Sequence, residues 1–230
     1  MALLLATDRI GYTEAWDLQR RIAAARLAGR IDDVVWVLEH PPVYTYGRHG
    51  SRSDLFVDDA TLERLGASCV HSDRGGLMTW HGPGQITGYV IADIRRLGGA
   101  RRFVTALVDS MRDATGLDTA ESDHERMGVY VEGRKIGSVG IRVTSGISTH
   151  GIALNRDVDP QWGQLMSACG APDVTPTSIA AEGGVAARPI VEGAFARSLA
   201  DRFDWALDPI EMDALEARLI RAEQEAAAAS

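Results

Sequence analysis

The chain has 230 residues, 45% of them hydrophobic, and a formal net charge of −8. That length and apolar content predict a single domain over 1–230 with one full core, and the negative balance argues against a nucleic-acid partner, which needs a basic face. No run approaches the roughly eighteen apolar residues of a membrane span, and the apolar start of residues 1–6 is too short for a signal peptide, so a soluble, cytoplasmic protein with no membrane partner is expected.

In chain order, a short apolar start leads to a helix over residues 13–28, where Trp16, Ile22, Ala23 and Leu27 form a stripe, Thr13 can cap it and Gly29 can end it. Asp33-Val34-Val35-Trp36-Val37-Leu38-Glu39 is an apolar run of strand length, ended by His40-Pro41-Pro42. Val43-Tyr44-Thr45-Tyr46-Gly47-Arg48 reads as an exposed, aromatic-bearing loop, and residues 58–65 as a short helix capped by Asp58 or Asp59. Ser68-Cys69-Val70-His71 is a strand in which Cys69 acts as a small core hydrophobe. Arg74-Gly75-Gly76-Leu77-Met78-Thr79-Trp80-His81 then combines two glycines with a short strand, and Gly82-Pro83-Gly84 turns it sharply.

Residues 86–92 form a further strand and residues 101–114 an amphipathic helix carrying Phe103, Leu107 and Met111. Strands over residues 127–131 and 135–143 flank Glu132-Gly133-Arg134, a hairpin signal, and a second turn at Ser145-Gly146 leads into a strand over 148–155. Residues 158–181 look irregular, helices are expected over 189–203 and 211–225, and the alanine-rich end from about 226 is expected to fray. Several hairpins without steady βαβ alternation indicate the α+β class.

Two residues stand out chemically. The 24 basic residues comprise 23 arginines and one lysine, Lys135, within Gly133-Arg134-Lys135-Ile136-Gly137-Ser138-Val139-Gly140. Arginine serves wherever a surface needs only charge, but it cannot give up its proton, whereas a lysine ammonium can. Cys169 follows Met166-Ser167-Ala168 and precedes Gly170-Ala171-Pro172, a loop or helix end rather than a strand like that of Cys69. Two cysteines are too few for a disulfide framework.

Four stretches, RGGLMTWHGPGQITGY (residues 74–89), GRKIGSVGIRV (133–143), STHGIALN (148–155) and ACGAPDVTPTSI (168–179), resemble those of lipoyl(octanoyl) transferases. The resemblance implies the biotin/lipoate ligase-like fold, a mixed and mostly antiparallel sheet packed with helices, in a monomer or weak oligomer. It implies octanoyl-acyl carrier protein as donor, and as acceptors the lipoyl domains of 2-oxoacid dehydrogenases and the glycine cleavage H protein. It assigns Cys169 as nucleophile and Lys135 as its partner, with Arg74, Gly75, Gly76, Leu77, Met78, Thr79, Trp80, His81, Ser138, Val139, Gly140, Gly151, Ile152 and Ala153 on substrate-binding segments. His150 is a candidate supporting residue, and the glycine-bearing strands offer a slot for the alkyl tail, bordered by Leu77, Ile136, Val139 and Ile152.

No cofactor and no metal are expected, since no H-x₃-H or C-x₂-C spacing occurs. The same fold could instead serve an ATP-dependent lipoate or octanoate ligase, with Lys135 on a phosphate, or a non-catalytic module binding lipoyl domains or acyl carriers. Arg20-Arg21 and Arg101-Arg102 are candidate docking patches for a carrier.

Overall fold

The computed structural model describes residues 1–167 and 175–228. Among these the elements run β1 (Ala2–Arg9), α1 (Tyr12–Leu27), β2 (Asp33–Glu39), β3 (Val43–Tyr46), α2 (Asp59–Arg64), β4 (Ser68–His71), β5 (Met78–His81), β6 (Gln85–Ile91) and α3 (Gly99–Thr115). They continue as β7 (Ala120–Asp123), β8 (Gly128–Val131), β9 (Arg134–Thr144), β10 (Ile147–Asn155), α4 (Gln161–Gln164), α5 (Arg188–Phe203), β11 (Leu207–Ile210) and α6 (Met212–Ala228). One mixed sheet has the order β11-β1-β2-β6-β10-β9-β8-β7, parallel at β11, β1 and β2 and antiparallel onward. A small sheet, β4-β3-β5, stands beside it.

Alternation along β2 shows how the layers form. Val35 and Val37 pack with Phe103, Leu107 and Met111 of α3 and Val191, Phe195 and Leu199 of α5. Val34, Trp36 and Leu38 pack on the other face with Ala15, Leu18 and Ile22 of α1 and Leu215 and Leu219 of α6. A strand covered on both faces reads as a continuous apolar run, as β2 does. Glu132 (φ 48°) and Gly133 (φ 80°) make the expected hairpin between β8 and β9, both in the left-handed region that such two-residue turns require.

Some expectations are corrected. The segment read as an exposed loop contains β3, the central strand of the small sheet, and its Tyr44 is fully buried. β1 was hidden in the short apolar start, although Leu3 and Leu5 are fully buried between helix and sheet. β7 and β11 are short edge strands: AESD carries almost no apolar signal, and LDPI, although Leu207 and Ile210 pack into the cores, is four residues long and interrupted by a proline. Helix α1 starts at Tyr12 with Gly11 at its cap and no side-chain cap, so Thr13 does not cap it, whereas Asp58 does cap α2 through the Thr61 N–H. Cys69 is half-buried rather than a core residue, α4 lies in the segment read as irregular, and α6 runs to Ala228.

Backbone hydrogen bonds tie the loop between β4 and β5 to residues 47–49. The N–H groups of Gly47, Arg48 and His49 donate to the carbonyls of Leu77, Arg74 and Gly76 at 3.0–3.2 Å. Such an approach leaves no room for a side chain: a Cβ at Gly47 would lie 2.6–2.9 Å from the carbonyl oxygens of Gly76, Arg74 and Gly75. Gly47→Ala is therefore expected to lower stability by about 2 kcal/mol or more, read as a shifted urea midpoint with unchanged slope. An unshifted midpoint would show that the loop gives way freely.

Candidate active site

Between the large sheet and the loop of residues 74–79 lies a cavity of about 160 Å³. Its cover is formed by Arg74, Gly75, Gly76, Leu77, Met78 and Thr79, and its floor by Ser138, Val139 and Gly140 of β9 with His150, Gly151, Ile152 and Ala153 of β10. His81 and Lys135 also line it. Trp80 does not: its ring stacks on Trp162 at 5.4 Å in the core of the small sheet. Ile136 also lies elsewhere, fully buried under α3.

Lys135 reaches the cavity through a break in register. On an undisturbed β9, Ser138 and Gly140 would share a face with Ile136, and Lys135 would point away. The pairing with β8 steps from Val129↔Gly137 to Tyr130↔Lys135, so Ile136 is the extra residue of a β-bulge. Ile136 stays in the core and Lys135 turns to the side of Ser138 and Gly140. Glycines make the turn possible, because a Cβ at Gly128 would lie 2.8 Å from the Gly137 carbonyl and 3.2 Å from Lys135 Cε. Lys135 Nζ lies 5.8 Å from the Tyr130 ring centroid, over which Arg126 also sits, at 4.1 Å.

The glycines of these strands do not leave an empty slot one by one. The space a Cβ would take at Gly137 meets Met111 Sδ at 3.1 Å, and at Gly151 it meets the Gly88 carbonyl oxygen at 2.0 Å. Arg74, expected to bind substrate, is buried and holds its own loop: its guanidinium donates to Thr45 and to the carbonyls of Gly75 and Leu77.

His81 and His150 line the cavity, and His40 lies behind Tyr89; all three are uncharged. The Ile10 carbonyl can only accept, so His40 donates to it from Nδ1 (2.6 Å) and accepts at Nε2 from the Tyr89 hydroxyl (2.7 Å). Burial pulls His40 down to about 4. Gln85 uses its amide N–H groups on the Trp80 carbonyl and Asn155, so His81 Nδ1 donates to Gln85 Oε1, leaving Nε2 unprotonated. Burial and the neighbouring His40 hold His81 well below the ordinary histidine value. His150, left-handed at φ 61°, donates from Nε2 to Asp73, and burial lowers its pKa although Asp73 opposes this. Among the described residues, its buried Nδ1 has no hydrogen-bond partner.

Tyr12, Thr87, Tyr89, Arg126 and Met127 also line the cavity, and sequence reasoning missed them. Period-2 alternation could have paired Thr87 with Tyr89 on one face, but nothing in the sequence names that face. Cys169 lies outside the described residues. The chain before it is tied by the Ser167 N–H to the Asp54 carbonyl, and the chain after it by Lys135, whose N–H donates to Thr175 O and whose carbonyl accepts from Thr177 N–H. The candidate docking arginines are largely engaged: Arg20 pairs with Asp17, Arg21 with Glu216 and Glu223, and Arg102 bonds the Arg202 carbonyl.

His40 sets an acid limit on stability. It is neutral when folded down to about pH 4 and protonates near 6.5 when unfolded, so the unfolded chain binds more protons in that window and stability falls as pH drops through it. From pH 7.5 to 5 His40 alone accounts for about 2 kcal/mol. Urea unfolding at both pH values should show the loss, and His40→Gln should remove that share of it; an equal loss in the variant would assign it to other groups.

Residues 11–187 match the lipoyl protein ligase A/B catalytic domain. An octanoyltransferase of Alkalilimnicola ehrlichii is 41% identical over 175 residues, 74% of this chain and 78% of that one. An octanoyltransferase of Solibacter usitatus is 37% identical over 206 residues, 87% and 92% of the two chains. The bipartite lipoate protein ligase of Thermoplasma acidophilum, solved in a study of it and its E2 lipoyl domain, has the same fold, with a TM-score of 0.65 at 15% identity over 96% and 91% of the chains. By these matches the chain belongs to the lipoyl protein ligase A/B catalytic-domain family.

Proposed function

We propose that this protein is an octanoyltransferase that moves an octanoyl group from acyl carrier protein to a lysine of lipoyl domains, the first step of protein lipoylation, with the whole chain as one catalytic unit. The observation that carries the reading is the chain's one lysine turned by a bulge into the cavity, in a chain whose relatives at 37–41% identity are octanoyltransferases. The acceptors are the lipoyl domains of 2-oxoacid dehydrogenases and the glycine cleavage H protein.

In the proposed mechanism Cys169 is the nucleophile. A free thiol has a pKa of about 8.5, and a neighbouring cation raises its thiolate fraction; Lys135 is the group assigned to supply that field. The thiolate attacks the octanoyl thioester carbonyl, the bond to the carrier sulfur breaks, and the carrier leaves as a thiol after taking one proton from the Lys135 ammonium, which leaves Lys135 neutral. The acceptor lysine's neutral amine then attacks the acyl-enzyme, an amide forms, and the Cys169 sulfur departs. The excess proton passes to Lys135, which an arginine could not accept at neutral pH. One thioester is exchanged for another, so the first step needs no ATP.

The fold alone does not separate this from an ATP-dependent ligase, since lipoate ligases share it; the transferase relatives favour transfer. Intact mass spectrometry after mixing with octanoyl-acyl carrier protein without ATP should show one octanoyl adduct, removed by hydroxylamine and absent from Cys169→Ser. Octanoyl-adenylate formed only with ATP, and no adduct, would sink the reading. Lys135→Arg should keep the unfolding midpoint but lose at least about 100-fold in turnover; near-normal turnover would remove Lys135 from catalysis.

A further inference from the structure

The cavity floor has a direction across the strands. One cross-strand row reads Ser138 on β9, Ala153 on β10 and Thr87 on β6; the row beside it reads Gly140, Gly151 and Tyr89. From β9 towards β6 the first row carries only small side chains, and the second carries none until Tyr89. Residues 75–79 cover the rows. The cavity is thus a trench perpendicular to the strands, with Lys135, Arg126 and Met127 at the β8/β9 end and Tyr89 across the β6 end.

That end is held in place. The Tyr89 hydroxyl is bonded to His40 Nε2 at 2.7 Å, and the ring lies edge-on to Trp36 at 5.7 Å and to His150 at 6.3 Å. The adjoining Tyr12 stacks on His81 at 5.7 Å and is bonded to Ser72. A ring fixed on every side cannot swing away to lengthen the trench.

We infer that Tyr89 is the chain-length stop of the acyl site, an assignment that rests on the octanoyl-transfer reading. Adjacent strands are about 4.8 Å apart, so the two steps from β9 to β6 span about 10 Å. The seven C–C bonds of an octanoyl chain, each about 1.5 Å and drawn out as a zigzag, reach about 9 Å. With its carbonyl at Lys135, an octanoyl tail ends against the Tyr89 ring, and a dodecanoyl tail collides with it.

The test compares kcat/KM for hexanoyl, octanoyl, decanoyl and dodecanoyl pantetheine thioesters, alongside calorimetric binding of the matching free alkanoates. Wild type should peak at C8, and Tyr89→Phe, which keeps the ring, should keep that peak. Tyr89→Ala should raise the C12:C8 ratio at least about tenfold; an unchanged ratio in the folded variant overturns the assignment. If Tyr89→Ala does not fold, Tyr89→Leu decides, because it keeps an apolar side chain at the β6 end while shortening the stop. It should raise C10 relative to C8, and an unchanged ratio overturns the assignment. Should wild type react with no thioester at all, the transfer reading falls separately; the alkanoate affinities then uphold the stop if Tyr89→Ala moves the preferred length upward, and overturn it if the length stays put.

Discussion

One extra residue in one strand decides what this fold can do. Without the bulge at Ile136, β9 would direct an aliphatic side chain into the cavity and an ammonium into the core beneath α3. A buried, unpaired charge is among the most destabilising things a core can contain, so folding and the chemistry of the cavity demand the same register. Gly128 and Gly137 supply the close backbone approach that lets the bulge form beside β8. The rest of the site is assembled around that result: a floor of small residues on β9 and β10, and a cover fixed by the hydrogen bonds of residues 47–49.

Lys135 and Arg126 share the face of Tyr130 at one end of the cavity, while the other holds imidazoles that burial keeps neutral, with the buried Arg74 guanidinium beside them bonded to Thr45 and loop carbonyls. That end also contains strong local bonds, such as Tyr89 to His40 and His81 to Gln85, and these fix the positions of the rings.

Legibility in the sequence tracked the strength of the local signal. β2 was readable because burial on both faces leaves an uninterrupted apolar run, and the β8–β9 hairpin because only special residues tolerate two consecutive positive φ values. β7 was invisible because its four residues are mostly polar, and β11 because a proline interrupts its four residues. Lys135 was conspicuous as the one lysine, yet simple alternation assigns it to the wrong side, and only the pairing with β8 reveals the bulge. Tyr89 was placed in a strand, but its meaning depends on Gly140 and Gly151, more than fifty residues further along, arriving opposite it. Arg74 drew attention through its glycine neighbours, and its role in holding the loop appears only once Thr45 is seen beside it.

Lys135 serves the molecule twice, through atoms that can be separated. Its side chain enters the cavity, while its backbone N–H and carbonyl join the chain at Thr175 and Thr177 to the large sheet. The second task is indifferent to what residue 135 is, provided it is not proline, which lacks the N–H. A change of side chain there leaves the tether in place, so substitution at this position separates what the side chain does in the cavity from how residues 175–177 are held against the sheet.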